Sequence, residues 1–280
     1  MSEIPFYFFH KRPWSTEKPP VGSEIDWGHP LSQGLVGAWL MNEGGGNIVR
    51  DLVKGNNGTL VGNTNWSSSV KGIATNFDGN GDYINIPNFK MVVDAFSPFS
   101  IVFALYPLTT ADYNQTIGEL TTGWNCFRFH TESGSGVYCG VGGDNGDRFT
   151  PTELPLGTVT RNSWNNFVFT IDSGNPGFAY GSGRFYKNGN LLAKKTFTSG
   201  LNEDWSGFII GQPDTNTING KFGRLYIYSR ALSPSEIQQL YSEPYCFIQP
   251  IKRRFYSITE APTGAAAGIM TPRTSFWGDI

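Results

Sequence analysis

Arg184-Phe-Tyr-Lys-Asn-Gly-Asn-Leu-Leu-Ala-Lys-Lys-Thr-Phe197 carries the clearest structural instruction in the chain. Asn188-Gly189 supplies the two positive φ angles that a type I′ turn requires. The stretch therefore predicts a β-hairpin over 184–197, with strands Arg184–Lys187 and Leu191–Phe197. Upstream, Asn166-Phe-Val-Phe-Thr-Ile171 alternates so that Phe167, Phe169 and Ile171 share one face of a strand. Similar runs occur at Leu35–Met41, Tyr83–Ile86, Phe99–Leu105, Cys126–His130, Phe208–Gly211 and Phe222–Ser229, parted by Gly, Asn, Asp and Ser. Branched and aromatic residues at this spacing fit a pleated, half-buried surface. One helix is predicted. Ser233 stands before Pro234, and Glu236 falls where its carboxylate reaches back to the cap. Ile237, Leu240 and Tyr241 then form an apolar stripe for docking on a sheet. Many short strands and one capping helix predict an all-β fold, an antiparallel sandwich or barrel. No internal repeat points to a propeller or solenoid.

Composition narrows the function classes. Of 280 residues, 21 are Lys or Arg and 23 are Asp or Glu, a net charge of -2. Charged residues make up 16% and aromatics 15%, the opposite of a disordered chain. Without a basic excess, nucleic acid is not an expected partner. No apolar run approaches the roughly 20 residues that span a bilayer, so membrane insertion is not expected. Residues 1–10 have neither the basic nor the long apolar region of a secretion signal. Cys126, Cys139 and Cys246 lack zinc-site spacing; buried free thiols are expected, with a Cys126–Cys139 bridge as the alternative. Composition divides the chain into a Pro-rich arm at 1–33, a folded domain at 34–244 and a tail at 245–280.

Several motifs, taken in order, resemble a known family. Gly34-Leu-Val-Gly-Ala-Trp-Leu-Met-Asn-Glu43-Gly-Gly-Gly46 is followed by Val49-Arg-Asp51-Leu and Asn57-Gly58-Thr-Leu60. Then come Phe77-Asp78-Gly79 with Asp82-Tyr-Ile, the Asn188-Gly189 hairpin, and Leu225-Tyr-Ile-Tyr-Ser-Arg-Ala231-Leu-Ser-Pro-Ser-Glu-Ile237. Over about residues 34–243 these resemble the laminin-G-like jelly rolls of the concanavalin A-like lectin/glucanase superfamily. The resemblance implies a jelly-roll β-sandwich with one short C-terminal capping helix and extended terminal arms. It also implies a structural Ca²⁺ near Asp51, completed by loop carbonyls; a capped turn is the competing role for Asp51. One position departs from the family: Lys221-Phe-Gly-Arg224 stands where an Asp-rich stretch is common, so no metal ligand carries over there. The flanks, Arg12-Pro-Trp14 with Ile25-Asp-Trp-Gly-His-Pro-Leu-Ser32, and Glu243-Pro-Tyr245 with Lys252-Arg-Arg254, resemble laminin-G-like proteins of tailed bacteriophages. That narrower resemblance implies a component of the virion surface, made in the host cytoplasm without a signal peptide and released by lysis.

The superfamily includes glucanases, so the carboxylates decide whether catalysis is expected. A retaining glycosidase needs two about 5–5.5 Å apart. Glu24-Ile-Asp26 begins such a motif but lacks its closing Glu. His10, His29 and His130 are scattered, and no nucleophile elbow or phosphate loop appears. The Cys126/His130 spacing is explained by one strand face, so no enzyme is expected. Asp78-Gly-Asn-Gly-Asp82 starts like a calcium loop, but Tyr83 replaces the required Gly; an Asx-bonded turn is expected.

For a ligand, the candidates are Trp124, Asn125, Asp144, Asn145, Asp147, Arg148, Asp214 and Asn216. Their loops combine an aromatic platform with planar polar groups, as a sugar requires; ordinary turns and a core Trp124 are the alternative. Candidates for assembly contacts are Phe6, Tyr7, Phe8 and Phe9 in the N-terminal arm, and Lys252, Arg253, Arg254, Phe255, Tyr256 and Trp277 in the tail. Aromatic rings gain roughly 1.5–3 kcal/mol each on burial, which favours docking over a free tail. The combined expectation is a non-catalytic virion protein, such as a capsid decoration or head fibre, present in multiple copies or as a homo-oligomer. Its partners would be other virion subunits. The alternative is an adhesin or tail-fibre module that recognises host glycans.

Overall fold

A computed structural model describes residues 16–91, 97–109, 114–118, 127–132, 136–141, 147–172, 181–197, 205–212 and 218–249. In chain order the strands are β1 (Glu24–Ile25), β2 (Leu35–Trp39), β3 (Ile48–Val49), β4 (Gly58–Val61), β5 (Asn65–Ser69) and β6 (Gly72–Asp78). Next are β7 (Tyr83–Met91), β8 (Phe99–Pro107), β9 (Asn114–Gly118), β10 (Arg128–Glu132), β11 (Gly136–Val141) and β12 (Asp147–Phe149). β13 (Asn165–Ile171), β14 (Gly181–Lys187), β15 (Asn190–Phe197), β16 (Trp205–Gly211) and β17 (Asn219–Tyr228) precede helix α1 (Pro234–Ser242) and β18 (Ile248–Gln249).

Apart from β1 and β18, which pair with each other, these strands form two stacked antiparallel sheets. The first runs β12-β11-β10-β9-β16-β7-β4-β3 and the second β15-β14-β13-β8-β17-β6-β5. β17 is long enough to pair with β6 through Asn219–Phe222 and then with β2 through Leu225–Tyr228, on the flank opposite β8. Phe167, Phe169, Phe185, Phe103, Phe129 and Phe222 interdigitate between the sheets in one buried cluster. Phe103 and Phe129 meet edge-to-face at 5.0 Å, a favourable aromatic geometry.

The second sheet is buried on its outer face too, which is why β8 and β13 read as continuous apolar runs. Val102, Val168, Tyr186, Tyr226 and Tyr228 lie there against Ile237 and Leu240 of α1. The expected capping box is present: Ser233 Oγ accepts from the Glu236 N–H, and the Glu236 carboxylate accepts from the Ser233 N–H. The expected turn is present as well, with φ of 50° at Asn188 and 81° at Gly189.

The expected domain bounds of 34 and 244 are too narrow. Ile25, Leu31, Tyr245, Phe247 and Ile248 all belong to the outer-face core. β1 pairs with β18, bringing residues from both assigned arms together. Pro30 does not prevent packing; it opens a 3-10 turn whose Leu31 is buried. No helix among the described residues is long and apolar enough to cross a membrane. Phe6, Tyr7, Phe8, Phe9, Lys252, Arg253, Arg254, Phe255, Tyr256 and Trp277 lie outside the described residues.

Candidate functional site

A pocket of about 360 Å³ opens on the outer face of the second sheet, beyond the C-terminal end of α1. Its lining includes Ala104 of β8, Asn166 of β13, and Gly223 and Arg224 of β17. The β17–β8 register slips between Phe222 and Arg224, a bulge that sets Gly223 against the Trp164 ring. A Cβ at position 223 would come within 2.9 Å of Trp164 Cζ3, so only glycine leaves the indole its place. Tyr106 fixes the indole from its other side in an edge contact at 5.6 Å. Tyr241, Ser242, Pro244 and Tyr245 line the pocket as the chain leaves α1. Tyr241 remains 42% exposed and borders this opening, whereas Ile237 and Leu240 of the expected stripe are buried.

The polar lining is held by a short relay. Asn188, in the hairpin turn, accepts from the Asn166 N–H at 2.9 Å through Oδ1 and donates its own N–H to the Asn166 carbonyl at 2.8 Å. Asn166 Oδ1 in turn accepts from Arg224 Nη2 at 2.6 Å. The Arg224 guanidinium lies 5.6 Å over the Tyr245 ring. Burial raises the Tyr245 hydroxyl pKa, and Arg224 offsets part of that rise. Lys18 Nζ donates to the carbonyls of Met41, Ile73 and Gly223. Burial first, and Arg224 second, push its pKa down to about 7, with Glu43 acting the other way. The three carbonyl acceptors suit the three-donor ammonium form.

Elsewhere the sequence candidates take structural roles. Asp51 is nearly buried, and Oδ1 accepts from the Ala38 and Val53 N–H groups while Oδ2 accepts from those of Lys54 and Asn56. Both oxygens therefore face N–H donors, a donor set that fits a capped turn and not a calcium ion. Asp78 Oδ1 accepts from the Asn80 N–H, the expected Asx turn. Asp82, fully buried, accepts from the Asn63 and Asp78 N–H groups. Burial raises the Asp82 pKa, whereas the Asn63 amide and the Asn80 N–H lower that of Asp78. Asp26 Oδ1 caps Gly28, and His29 Nδ1 accepts from the Leu31 N–H. Cys139 is a buried free thiol whose pKa burial pushes well up, an inert environment. Among the described residues, no cluster of three His, Cys, Asp or Glu side chains is placed to hold a metal.

Of the ligand candidates, Arg148 is described: its guanidinium lies 4.9 Å over Tyr138, whose ring stacks on His130 at 4.9 Å. The backbone of Asp147 pairs with Val141 at the same sheet end as Arg128 and Gly118. Trp124, Asn125, Asp144, Asn145, Asp214 and Asn216 lie outside the described residues, as do Cys126 and His10. The Arg148 row is separate from the pocket, which sequence reasoning missed. Two signals pointed to it: a glycine inside the long strand at 223, and Arg224 where the family commonly has acid.

The family model described as the concanavalin A-like lectin/glucanases superfamily, of laminin G type, matches residues 78–238, more than half of the chain. No curated protein matches as a relative. Domain 4 of AbnA, an extracellular arabinanase from Geobacillus stearothermophilus, solved with arabinotriose, is 16% identical with a TM-score of 0.58, over 74% of this chain and 98% of that one. The binding domain of Paraclostridial Mosquitocidal Protein 1 is 17% identical with a TM-score of 0.55, over 76% and 53%. The botulinum neurotoxin serotype D binding domain is 14% identical with a TM-score of 0.57, over 75% and 51%. The chain thus spans about half of each toxin chain. At these identities the likeness establishes the fold.

Proposed function

The chain belongs to the concanavalin A-like lectin/glucanases superfamily, and from that premise we propose that it is a non-catalytic carbohydrate-binding module carried on a bacteriophage particle. The observation that supports carbohydrate binding is the pocket itself. The Trp164 and Tyr245 rings stand beside the Asn166 and Asn188 amides, an apolar platform with a few convergent polar groups. Among the described residues its lining contains Thr and Ser hydroxyls but no Asp or Glu, which favours binding over glycoside hydrolysis by a carboxylate pair. A neighbour of the same fold, the arabinanase domain, was solved with a bound trisaccharide.

The particle assignment rests on the flanking sequences, Arg12-Pro-Trp14 and Lys252-Arg-Arg254, which resemble phage-encoded proteins. On this reading Phe6–Phe9 and Lys252–Tyr256, with Trp277, contact other virion subunits, and the sandwich is displayed outward in several copies. The module then either decorates the shell or contacts host glycans.

A glycan array probed with the full chain and with Trp164→Ala tests the carbohydrate reading. Specific binding by the wild type should fall about tenfold or more in the variant, with the melting temperature kept within a few degrees. Absence of binding to every glycan, or equal binding by the variant, would overturn it. Co-sedimentation with assembled capsids, against free glycan, separates shell decoration from host recognition.

A further inference from the structure

Arg224 is a buried cation with no carboxylate partner among the described residues. The residue is only 5% exposed, its Nε makes no hydrogen bond, and its side-chain partners are neutral, the Asn166 amide and the Tyr245 hydroxyl. Other cations on the same fold are treated differently: Arg184 sits on Asp172, Lys195 on Glu153 and Arg230 on Glu236. A guanidinium carries five donors in a planar fork, and burying its charge without an anion is costly. Lys18 and Lys71 line the same pocket, giving three cations and no acid among its described lining residues. Lys18 feels Arg224 as a repelling neighbour, which is the second cause of its lowered pKa. Glu43, the carboxylate acting on Lys18, is not part of the lining.

We propose that this pocket selects saccharides that carry a carboxylate, with Arg224 and Lys71 meeting the charge and Trp164 and Tyr245 flanking the sugar ring. The inference rests on the carbohydrate reading above and adds the ligand's chemical class. An anion placed there would neutralise the Arg224 charge, which no described carboxylate compensates. A carboxylate suits the guanidinium because its two oxygens match the planar fork. A bare inorganic anion suits the site less well, since about 360 Å³ of space bordered by indole and phenol rings exceeds what a tetrahedral oxyanion fills.

The experiment titrates the full-length protein with glucuronic and galacturonic acid, each against its neutral parent, glucose and galactose, by calorimetry. Sodium sulfate serves as the competing inorganic anion. At least one acid should bind about tenfold or more tightly than its parent, because a site built around a charge discriminates against a ligand lacking it. Arg224→Gln should remove that preference, so that acid and parent bind the variant equally. Lys71→Glu, at an exposed position where folding is not at stake, should weaken the acid more than its parent. Equal affinity for acid and parent would overturn the inference and leave the carbohydrate reading standing. Failure of all four sugars to bind would overturn the inference, while the glycan array decides the carbohydrate reading separately. Sulfate that displaces the acid at equal concentration, or an acid preference unchanged in both variants, would also refute the assignment.

Discussion

The Asp51 carboxylate is committed by backbone alone: four N–H groups, from β2 and from the turn that follows Asp51, converge on its two oxygens. Asp51→Ala strands all four donors, and buried unsatisfied groups cost about 1–3 kcal/mol each where water cannot replace the partner. Because some of these donors regain water, a loss of about 3 kcal/mol is expected in urea unfolding. Asp51→Asn should cost less, since one oxygen keeps its two donors. Adding calcium or EDTA should leave the wild-type melting temperature where it was; a calcium-dependent rise of several degrees would contradict the cap assignment. The sequence could not separate these roles. A cap and a calcium ligand both place a carboxylate at a turn, and they differ in whether N–H or carbonyl groups face it. The same limit hid Arg224, whose neighbours are supplied by β8, by β13 and by the segment after the helix.

Helix α1 was legible because its instructions are local, and the structure adds one part from the segment before the helix. Arg230 grips the capping glutamate, with Nη2 at 2.7 Å from Oε1 and Nη1 at 3.0 Å from Oε2 of Glu236. Burial pushes the Glu236 pKa up, but the Arg230 bonds and the Ser233 donors outweigh it and hold the carboxyl below its ordinary value of 4.5. Depression of the folded-state pKa means the unfolded chain takes up the proton first. The stabilisation is therefore present above the ordinary glutamate range and is lost as pH falls through the folded value. Ser233→Ala should cost about 1 kcal/mol at neutral pH, the usual worth of an N-cap. Glu236→Gln should lower stability at pH 7, and the deficit should shrink as pH falls below the ordinary glutamate range and the native carboxylate takes up its proton. A pH-independent deficit in guanidinium melts would show that packing, and not the ion pair, is what the glutamine disturbs. The short strand β5 was not legible. β5, Asn65–Ser69, has no apolar alternation, and its strand state comes from pairing with β6.

On the scale of the whole molecule, the two-sheet body followed from the many short alternating runs, but its limits did not follow from composition. Pro-rich and charged residues made 1–33 and 245–280 look like arms, although residues inside both close the outer face. Tyr245, Phe247 and Ile248 are 3%, 0% and 0% exposed, and the Phe247 ring meets Tyr226 edge-on at 5.1 Å. The Phe247 carbonyl also accepts from the Asp26 N–H, and the Pro244 carbonyl from the Tyr226 hydroxyl. Burying three such side chains contributes about 1.5–3 kcal/mol each. Their sum is of the same order as the roughly 5–15 kcal/mol net stability of an ordinary domain. A chain ended after Pro244 should therefore lose cooperative unfolding, while one ended after Gln249 keeps the β1–β18 pairing and should melt as a single transition. Phe247→Ala alone should cost about 3–5 kcal/mol, the usual range for an emptied aromatic site. If the Pro244 truncation melts like the longer chain, the outer-face core is not what holds the sandwich. Any assembly experiment that removes the tail must cut beyond Gln249, because a cut at 245 would confuse loss of a contact with loss of the fold.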